Sequence, residues 1–593
     1  MDTMKGLTRT AYCGTFRESD IGREVTVGGW VQRQRDLGSL IFVDLRDRTG
    51  ILQLTFDENS DKAIFDKAFS LRSEYVIMAK GVIRERSSKN KDIPTGDIEL
   101  EVNDLRILSK AETTPFEIVE NSQTGESTRL KYRYLDLRRP DLQKNILMRH
   151  KIAKIARDYF YENDFIEIET PMMIKSTPEG ARDYVVPSRI HNGKFYALPQ
   201  SPQIYKQLTM IAGFDRYIQL ARCFRDEDLR ADRQPEFTQI DLEMSFVDCD
   251  GIMSMAEGFI KRLMKETIGV DVPEKLERMT FDEAMNSYGS DKPDTRFGMK
   301  IQDISDWAKK TDFAVFKDTV LNGGSVKAIV AENGAEKYSR KKIDKLTEHA
   351  KGIGAKGLAY IRWAEDTPNC SFNKFLKEGE LDELLNTLGA KKGDAVFIVS
   401  DKTRKALMIL GALRLLVAKE LDIIPENKWN FLWITEMPFF EMDEETGEWV
   451  AAHHPFTMPL DESIKYLDTD KSKVKAQAFD LVLNGTELSS GSMRITDCEL
   501  QTKMFELLGM SQEEIDAKFG FLVDAYHYAA PPHGGMGIGL DRLAMLICGV
   551  DSLRDVVAFP KVQNASELMS GAPSFIDDVQ LDELAIAITK TEE

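Results

Sequence analysis

Apolar and polar positions alternate with a period of two over residues 21–110, a pattern typical of β-strands. The alternation recurs in five short segments, at residues 25–27, 41–45, 52–56, 76–83 and 98–108. A polar loop rich in Lys, Asn and Gly separates the last two segments. Five short strands within about 90 residues predict a small β-barrel such as an OB-fold.

The period then changes to that of a helix. Residues 145–161 carry apolar side chains at helical spacing, and residues 252–268 predict a second amphipathic helix. Between them, residues 165–171 alternate as a strand that Pro171 ends or places at a sheet edge. Residues 111–140, with Thr113-Thr114-Pro115 and a basic stretch, predict a linker.

Residues 215–247 predict a β-hairpin with one apolar and one polar face. On the return strand, the side chains predicted to face the core are Ile240, Leu242, Met244 and Phe246, and the polar face consists of Gln239, Asp241, Glu243 and Ser245. Such a face is either solvated or the floor of a polar site. The long charged loop of residues 226–235 favours the site, because loops on rigid scaffolds carry function.

The later part of the chain changes character twice. Residues 312–418 mix short strands with Lys-rich helices and predict an inserted α+β domain. Residues 534–539 are glycine-rich and precede a helix that carries Arg542. This segment fits neither the GxGxxG pattern nor a P-loop, so by itself it indicates only a tight approach to a helix.

Composition excludes several classes of protein. No apolar run approaches the roughly 18 residues of a membrane span, and residues 1–19 lack the apolar stretch of a signal peptide, which excludes a membrane-spanning protein and disfavours export. The six cysteines are scattered without a CxxC pair, which indicates reduced cytoplasmic thiols and no zinc ribbon. His453 and His454 are adjacent on an extended segment and point to opposite sides, which favours one functional histidine over a metal pair.

Net charge is −19, yet residues 80–92 and 129–139 are locally basic. Charge alone favours a solvated face for both clusters. Phe42 is predicted to lie on the barrel face opposite the apolar stripe, beside Arg33 and Arg35. An aromatic among arginines stacks single-stranded bases, but an aromatic covering the end of the barrel fits the pattern equally well.

Three elements follow in order: a strand ending in Thr170-Pro171, a hairpin bearing Arg225, and a glycine segment entering the helix of Arg542. This order resembles the three motifs of class II aminoacyl-tRNA synthetases. Residues 224–239 (FRDEDLRADRQPEFTQ) resemble motif 2 of the bacterial aspartyl-tRNA synthetases, in subclass IIb, at nearly every position. Residues 537–542 (GIGLDR) resemble motif 3, and the similarity extends over almost the whole chain.

The resemblance implies a multidomain fold with an N-terminal OB-fold β-barrel, a class II synthetase α+β catalytic domain built on an antiparallel sheet, and an inserted α+β (GAD-like) domain. The implied limits are 1–110 for the anticodon-binding barrel, 111–144 for a linker or hinge, 145–311 for the first catalytic part, 312–418 for the insertion, and 419–593 for the second catalytic part with a C-terminal extension.

The implied activity is that of a cytoplasmic aspartate–tRNA ligase. It would join L-aspartate and ATP into aspartyl-adenylate and pyrophosphate, and then transfer aspartate to the 3′ end of tRNA(Asp). The implied cofactors are ATP and Mg²⁺, without zinc. The implied assembly is a homodimer with motif 1 at its interface, away from membranes.

The resemblance also implies roles for individual residues. Arg225, Glu487 and Arg542 would be catalytic, and Glu487 would hold Mg²⁺. The ATP-binding positions would be Arg225, Asp226, Glu227, Gln234, Glu487, Gly539, Leu540, Asp541 and Arg542. The aspartate-binding positions would be Glu179, Ser201, Gln203, Lys206, Arg225, Asp241, His454 and Arg494. Within that set, Arg494 and Lys206 would hold the side-chain carboxylate, Glu179 and Asp241 would surround the ammonium, and His454 would close over the substrate.

In the barrel, the residues that would read the anticodon are Arg35, Phe42 and Gln53. The resemblance therefore favours base stacking by Phe42 over a role in covering the end of the barrel. Leu37 and Lys89 favour a discriminating enzyme, and the alternative is a ligase that also charges tRNA(Asn). Arg494 and Lys206 argue against an asparagine or lysine ligase, because two cations suit a carboxylate. Intact Arg225, Glu487 and Arg542 argue against a non-enzymatic tRNA-binding paralogue.

Overall fold

A computed structural model describes residues 2–57, 60–177, 179–227, 233–443 and 446–589. These residues form two compact units. One unit holds residues 2–150, 233–234 and 544–577, and the other holds residues 151–227, 235–543 and 578–589. No helix in these ranges is long and apolar enough to cross a membrane.

The first unit contains the predicted barrel. Its strands are β1 (Glu24–Asp36), β2 (Ile41–Asp47), β3 (Gly50–Phe56), β4 (Val76–Glu85) and β5 (Ile98–Ser109). They close in the order β1-β2-β3-β5-β4, with α1 (Lys62–Ser70) between β3 and β4 in sequence. Inward-facing Val27, Val43 and Leu54 are fully buried. This closed barrel confirms the predicted OB-fold. The prediction was possible because the alternation of apolar and polar residues reflects which side chains fill the barrel.

The segment after the barrel is more ordered than a linker. It contains α2 (Glu126–Lys131), α3 (Arg133–Asp136) and the start of α4 (Pro140–Glu162). The buried Asp136 carboxylate accepts hydrogen bonds from Arg133 at 2.6 Å and Arg139 at 2.9 Å, and Arg129 lies 3.5 Å away. The prediction of a solvated basic face at residues 129–139 is wrong, because one buried carboxylate gathers three of the arginines.

The second unit contains the remaining sheets. Its strands are β6 (Ile166–Glu167), β7 (Val185–Pro187), β8 (Phe195–Ala197), β9 (Arg216–Phe224), β10 (Glu236–Ser245), β11 (Glu277–Thr280), β12 (Gln302–Asp303), β13 (Ser325–Ala331), β14 (Ala359–Arg362), β15 (Asn369–Cys370), β16 (Ala395–Asp401), β17 (Phe431–Thr435), β18 (Phe440–Met442), β19 (Trp449–Ala451), β20 (Ala478–Leu483), β21 (Thr486–Met493) and β22 (His533–Gly539).

The chain's further helices follow the same order. They are α5 (Gln203–Ile211), α6 (Cys249–Ile268), α7 (Phe281–Tyr288), α8 (Ser305–Ala308), α9 (Ala314–Leu321), α10 (Arg340–Gly352), α11 (Glu380–Leu388), α12 (Thr403–Leu421), α13 (Cys498–Leu507), α14 (Gln512–Tyr526), α15 (Leu540–Cys548) and α16 (Asp578–Leu584).

The main sheet has eight strands in the order β11-β17-β20-β21-β22-β10-β9-β6. Its interior pairs are antiparallel, and the two edge pairs, β11 with β17 and β6 with β9, are parallel. The predicted hairpin is the pair β9–β10. The predicted strand at residues 165–171 shortens to β6 at Ile166–Glu167.

One predicted core residue of the hairpin is misplaced. Phe246 is 73% exposed and has a φ of 56°, whereas its predecessor Ser245 is the last residue of β10. The alternation of the sequence continues for one residue after the strand has turned away. The prediction that Phe246 faces the core is therefore wrong.

The predicted insertion contains a sheet of its own, in the order β12-β13-β16-β14-β15. Two apolar clusters, centred on residues such as Phe397 and Phe372, involve these strands and helices α8–α12. Strand β12 begins before residue 312 and helix α12 continues past residue 418, so this inserted module extends beyond the predicted limits at both ends. A two-residue strand such as β12 has no periodicity from which its pairing could be predicted.

Candidate active site

Four charged side chains form a buried network beneath the main sheet's polar face. Lys206 Nζ on α5 donates to Asp241 Oδ1 at 2.8 Å and lies 3.3 Å from Glu243 Oε2. The Arg494 guanidinium binds Glu243 with two hydrogen bonds, of 2.9 Å and 3.1 Å. All four side chains are at most 3% exposed. The polar face of the hairpin is thus the floor of a site and is not solvated.

Glycines on the neighbouring strand make room for this network. Strand β22 pairs with β10 so that Gly535 lies opposite Glu243 and Gly537 lies opposite Asp241. A Cβ on Gly535 would lie 2.1 Å from Glu243 Oε2 and 2.0 Å from the Leu242 carbonyl oxygen. The glycine segment is therefore a strand whose missing side chains admit buried carboxylates.

The pKa values of the two carboxylates in the network are shifted in opposite directions. Burial raises the pKa of Glu243, but Arg494 and Lys206 outweigh burial and hold that pKa below its usual value. Burial dominates at Asp241 and raises its pKa to about 6. Asp241 Oδ2 has no hydrogen-bond partner among the described residues. This oxygen is therefore available to a cationic ligand group.

His454 contacts the network as a neutral acceptor. Its Nε2 lies 2.7 Å from Arg494 Nη1, and its Nδ1 lies 3.3 Å from Thr457 Oγ1. Burial and the positive charge of Arg494 hold the pKa of His454 well below its usual value. Since Arg494 can only donate, Nε2 carries the lone pair and Nδ1 the hydrogen.

The cleft beside the network contains further predicted residues. Ser201 Oγ donates to Glu179 Oε2 at 2.7 Å, and both residues line a cleft with Ile204 and Tyr205. Loss of solvation raises the pKa of Glu179 to about 7. Gln203 is buried, and its side-chain Nε2 has no partner among the described residues. The cleft thus offers acceptor and donor groups close to Lys206.

Arg225 follows directly after β9. Its Nε donates to the Gln200 carbonyl at 3.4 Å, and its guanidinium lies 5.2 Å from the Phe237 ring centroid. Within the described ranges no carboxylate forms an ion pair with it. Asp226 forms a backbone bridge with Arg182 and an ion pair at 3.5 Å.

The remaining residues of the predicted ATP loop divide into three groups. Glu227 is half-buried. Residues 228–232, which belong to the segment that resembles motif 2, lie outside the described residues. Gln234 belongs to the first unit, where its side-chain amide both accepts from and donates to the backbone of Lys561, at 2.8 Å and 3.1 Å.

The predicted catalytic residues Glu487 and Arg542 lie side by side. Arg542 Nη1 donates to the Glu487 carbonyl oxygen at 2.7 Å, and the Glu487 carboxylate is 35% exposed. Asp541 Oδ2 accepts from the Thr238 backbone N–H at 2.9 Å, and Leu540 is fully buried. Gly539, Leu540 and Asp541 thus anchor the start of α15, from which Arg542 extends.

Sequence reasoning missed Asp480, the neighbour of Glu487 on β20. Asp480 is 6% exposed, and burial together with the charge of Glu487 raises its pKa well above the usual value. Its Oδ1 has no partner among the described residues. The signal in the sequence is an aspartate inside an otherwise apolar strand, AFDLVL.

The Asp480–Glu487 pair fits a divalent cation. Among the described residues no three His, Cys, Asp or Glu side chains cluster as a complete metal site. Two carboxylates that leave most coordination positions open suit Mg²⁺, which prefers oxygen ligands and shares them with phosphates and water. Asp480 Oδ1, buried and without a hydrogen-bond partner in the described ranges, is a further observation in favour of such an ion.

The barrel brings the three predicted anticodon residues together on one face. Arg35 Nη2 donates to Asp44 Oδ1 and Gln53 Oε1, both at 2.9 Å, and its guanidinium lies 5.5 Å from the Phe42 ring centroid. Leu37 is 68% exposed. Lys89 forms ion pairs with Glu18 and Glu85, at 2.8 Å and 3.0 Å.

Comparison with known proteins decides the family. A family model described as class II tRNA synthetases (D, K and N) matches residues 125–563, and an OB-fold nucleic acid binding domain model matches residues 25–108. The chain is 55% identical to the aspartate–tRNA ligase of Ruminiclostridium cellulolyticum over 592 residues, 99% of this chain and 100% of that protein. The chain belongs to the class II tRNA synthetases, among the aspartate–tRNA ligases.

Relatives within this family carry two different names. The aspartate–tRNA(Asp/Asn) ligase of Lachnoclostridium phytofermentans is 54% identical over 99% of each chain. Among solved structures, asparaginyl-tRNA synthetase from Pyrococcus horikoshii, complexed with asparaginyl-adenylate, superposes with a TM-score of 0.59 at 19% identity, over 93% of this chain and 97% of that one. This last similarity shows the fold alone.

Proposed function

We propose that this aspartate–tRNA ligase selects L-aspartate with the buried cations Lys206 and Arg494 and charges tRNA(Asp) alone. The observation that carries the proposal is the buried network, in which two cations meet two carboxylates with almost no exposure. Burying four charges is costly even when they are paired, and a role in recognition gives a reason for the chain to keep them. A ligand that brings one more carboxylate and one ammonium keeps the charges of this network balanced.

The planar guanidinium of Arg494 suits a carboxylate better than an amide. Its Nε and Nη2 already bind Glu243, so Nη1, which bonds His454, is the donor that a substrate carboxylate can take over. A carboxylate makes a charge-assisted hydrogen bond there, and an asparagine amide brings no negative charge to it. A lysine side chain would bring a further cation beside Lys206. The polar groups of the site therefore favour aspartate over asparagine and lysine by charge.

His454 accepts a hydrogen bond from the Arg494 donor that the substrate carboxylate needs. Its neutral Nε2 accepts from Arg494 Nη1 at 2.7 Å. We propose that the aspartate carboxylate replaces His454 as the acceptor, and that the imidazole then covers the bound side chain. Asp241 Oδ2, which has no hydrogen-bond partner among the residues that the structure describes, and the Glu179 carboxylate would accept the substrate ammonium.

The reacting groups of adenylate formation both carry negative charge. The α-carboxylate of aspartate attacks the α-phosphorus of ATP, and the bond to pyrophosphate breaks. Arg225, which forms no ion pair with a carboxylate in the described part of the chain, is placed to neutralise charge at the α-phosphate, and Arg542 to bind the outer phosphates. Asp480 and Glu487 would hold Mg²⁺, which would supply positive charge to the phosphate oxygens.

The barrel would bind the anticodon of tRNA(Asp) through the face of Arg35, Phe42 and Gln53. Aromatic rings among arginines stack bases of single-stranded RNA. We expect discrimination against tRNA(Asn) from the exposed Leu37 and from Lys89. We further propose a cytoplasmic homodimer whose interface includes the motif 1 strand, β6.

Aspartate-dependent exchange of labelled pyrophosphate into ATP tests the first half-reaction without tRNA. We expect exchange with aspartate and none above background with asparagine or lysine at equal concentrations. Exchange that is equal with asparagine would contradict the selection by Lys206 and Arg494. A folded protein that binds ATP but exchanges with none of the three would contradict the ligase assignment.

A further inference from the structure

A segment that no sequence motif singled out lies against the hairpin β20–β21. Residues 289–301 connect α7 to the inserted module. Lys292 Nζ lies 3.7 Å from Glu487 Oε2. Asp294 lies against the turn of the hairpin, where a Cβ on Gly485 would be 3.1 Å from the Asp294 Cβ. The segment thus places an ammonium beside the carboxylates proposed to hold Mg²⁺.

The inserted module fixes this segment through one side chain. Arg414 on α12 is 1% exposed and binds no carboxylate in the part of the chain that the structure describes. Its Nη2 donates to the carbonyl oxygens of Asp294, Phe297 and Gly298 at 2.8–3.0 Å, and its Nε donates to that of Met299 at 3.0 Å. A guanidinium that binds four carbonyls of one segment defines the path of its backbone.

Other contacts hold the same segment without help from Arg414. The Asp294 carboxylate binds Arg296 at 2.7 Å, and Arg296 also donates to the Pro425 carbonyl at 3.2 Å. Gly289 approaches the backbone of α12 so closely that a Cβ there would lie 2.0 Å from the Leu407 carbonyl oxygen. The segment is therefore held between the inserted module and the main sheet.

We propose that Lys292 binds the outer phosphates of ATP, and the pyrophosphate that leaves, and that Arg414 positions it from the inserted module. This inference rests on the proposed function, in which Asp480 and Glu487 hold Mg²⁺ at those phosphates. Lys292 Nζ lies 3.7 Å and 3.9 Å from its acidic neighbours Glu487 and Asp291, beyond hydrogen-bond distance. The side chain is 47% exposed.

The chemistry of the group supports this role. A lysine ammonium is a compact charge with three donors on a flexible stem, and it binds phosphate as a point charge. Negative charge accumulates on the β-phosphate as the pyrophosphate leaves. Because the segment is held on both sides, the backbone that carries Lys292 does not have to move for the ammonium to stabilise that charge.

Steady-state pyrophosphate exchange by Lys292→Met tests the role of the ammonium. We expect kcat divided by KM for ATP to fall about 10–100-fold and KM for pyrophosphate to rise, with KM for aspartate unchanged. Lys300→Met is the matched control in the same segment, since Lys300 lies over the Tyr288 ring at 5.7 Å and is not predicted to bind ATP. Wild-type kinetics for Lys292→Met would overturn the proposal. If the wild-type protein shows no aspartate-dependent exchange of pyrophosphate, the proposed function is overturned instead.

A double-mutant cycle tests whether Arg414 acts through Lys292. We expect Arg414→Met to lower exchange, and Lys292→Met to add less than about a twofold loss in that background. Effects that multiply would show that Arg414 does not position Lys292. If Arg414→Met does not fold in thermal denaturation, Arg414→Lys completes the cycle, because it keeps the charge but loses the planar fork that reaches four carbonyls.

Discussion

At the scale of the residue, Arg494 performs two tasks with one guanidinium. It holds Glu243 through two hydrogen bonds and presents Nη1 to His454. The residue type was predictable from the sequence through its resemblance to known motifs, but the bidentate partner Glu243 was not, because it is 251 residues away in sequence. Likewise, the sequence showed basic residues at 129–139 around one acidic residue, Asp136, but not that this carboxylate is buried and pairs with three of the arginines.

Replacement of Arg494 tests its part in recognising aspartate. We expect Arg494→Leu to lower kcat divided by KM for aspartate by about 100-fold or more, with ATP binding retained, because a buried charge partner of the substrate is lost. Calorimetric titration with ATP measures ATP binding, and pyrophosphate exchange at varied aspartate concentration measures kcat divided by KM for aspartate. Unchanged aspartate affinity would contradict the assigned role.

Arg494→Leu also removes both hydrogen bonds of the buried Glu243 to Arg494 and leaves Lys206, at 3.3 Å, as its cation, so the protein loses stability. The expected cost is about 3–5 kcal/mol of the free energy of unfolding. Arg494→Leu combined with Glu243→Leu removes both charges and is the control for folding. Recovery of thermal stability without recovery of aspartate binding would separate the structural role from recognition.

The pKa values of Glu179 and Asp241 predict how aspartate binding depends on pH. Both carboxyls have raised pKa values, of about 7 and about 6, so each takes up a proton as pH falls and then ceases to accept from an ammonium. Aspartate affinity is therefore expected to fall between about pH 8 and about pH 5.5, approaching tenfold per pH unit below each pKa. Titration of aspartate binding across this range measures the profile. Glu179→Gln should remove the change in affinity near pH 7. An affinity that does not vary with pH in the wild type would contradict the proposed ammonium site.

The sign for stability follows from the same shift at Asp241. Its pKa is higher in the folded protein than its usual value of 3.8, so the folded state holds the proton more tightly. The free energy of unfolding contributed by this group is therefore greatest below its unfolded pKa and declines as pH rises through about 6. Asp241→Asn should be less sensitive to pH over this interval in chemical denaturation.

At the scale of the element, strand β22 shows why a site can depend on glycines, whose lack of a side chain leaves room for neighbouring carboxylates. Gly535 and Gly537 lie opposite Glu243 and Asp241, and the sequence pattern predicted only a tight approach there. The hairpin β9–β10 was predictable because its alternation is regular over its length. The position of Phe246 was not, because a strand end leaves no periodic signal.

Gly535→Ala tests the close approach directly. An added methyl would lie 2.1 Å from Glu243 Oε2 and 2.0 Å from a backbone carbonyl oxygen. We expect a loss of about 1–3 kcal/mol in the free energy of unfolding, measured by denaturant titration. Gly539→Ala on the same strand is the stability control, since its nearest neighbour would be at an ordinary 3.6 Å. Equal stability of both variants would contradict the packing argument.

At the scale of the whole molecule, the barrel was predictable from the alternation of apolar and polar residues, whereas the antiparallel catalytic sheet was expected from the resemblance. Strand β20 of that sheet is buried over its whole length, so alternation does not reveal it. The limits of the inserted module were not predictable, because β12 spans only Gln302–Asp303 and its pairing with β13 is set by tertiary structure. Asp480 was missed for a similar reason. Its importance comes from Glu487 on the adjacent strand, and not from its own neighbours in sequence.

Phe42→Ala tests the division of labour between barrel and catalytic sheet. We expect KM for tRNA(Asp) in aminoacylation to rise about 5–150-fold, the range for loss of one stacking contact, while tRNA-independent pyrophosphate exchange stays unchanged. Phe69→Ala is the matched control, because this aromatic on α1 is 54% exposed and is not predicted to contact the anticodon. An equal loss in both assays would indicate misfolding of the variant, and normal charging would contradict anticodon stacking by Phe42.

Charging of separate tRNA(Asp) and tRNA(Asn) transcripts with labelled aspartate tests the central claim most directly. The account predicts aspartylation of tRNA(Asp) alone. Comparable charging of both transcripts would contradict the proposed discrimination by Leu37 and Lys89. Charging of neither transcript by a folded protein that binds ATP would contradict the assignment as an aspartate–tRNA ligase.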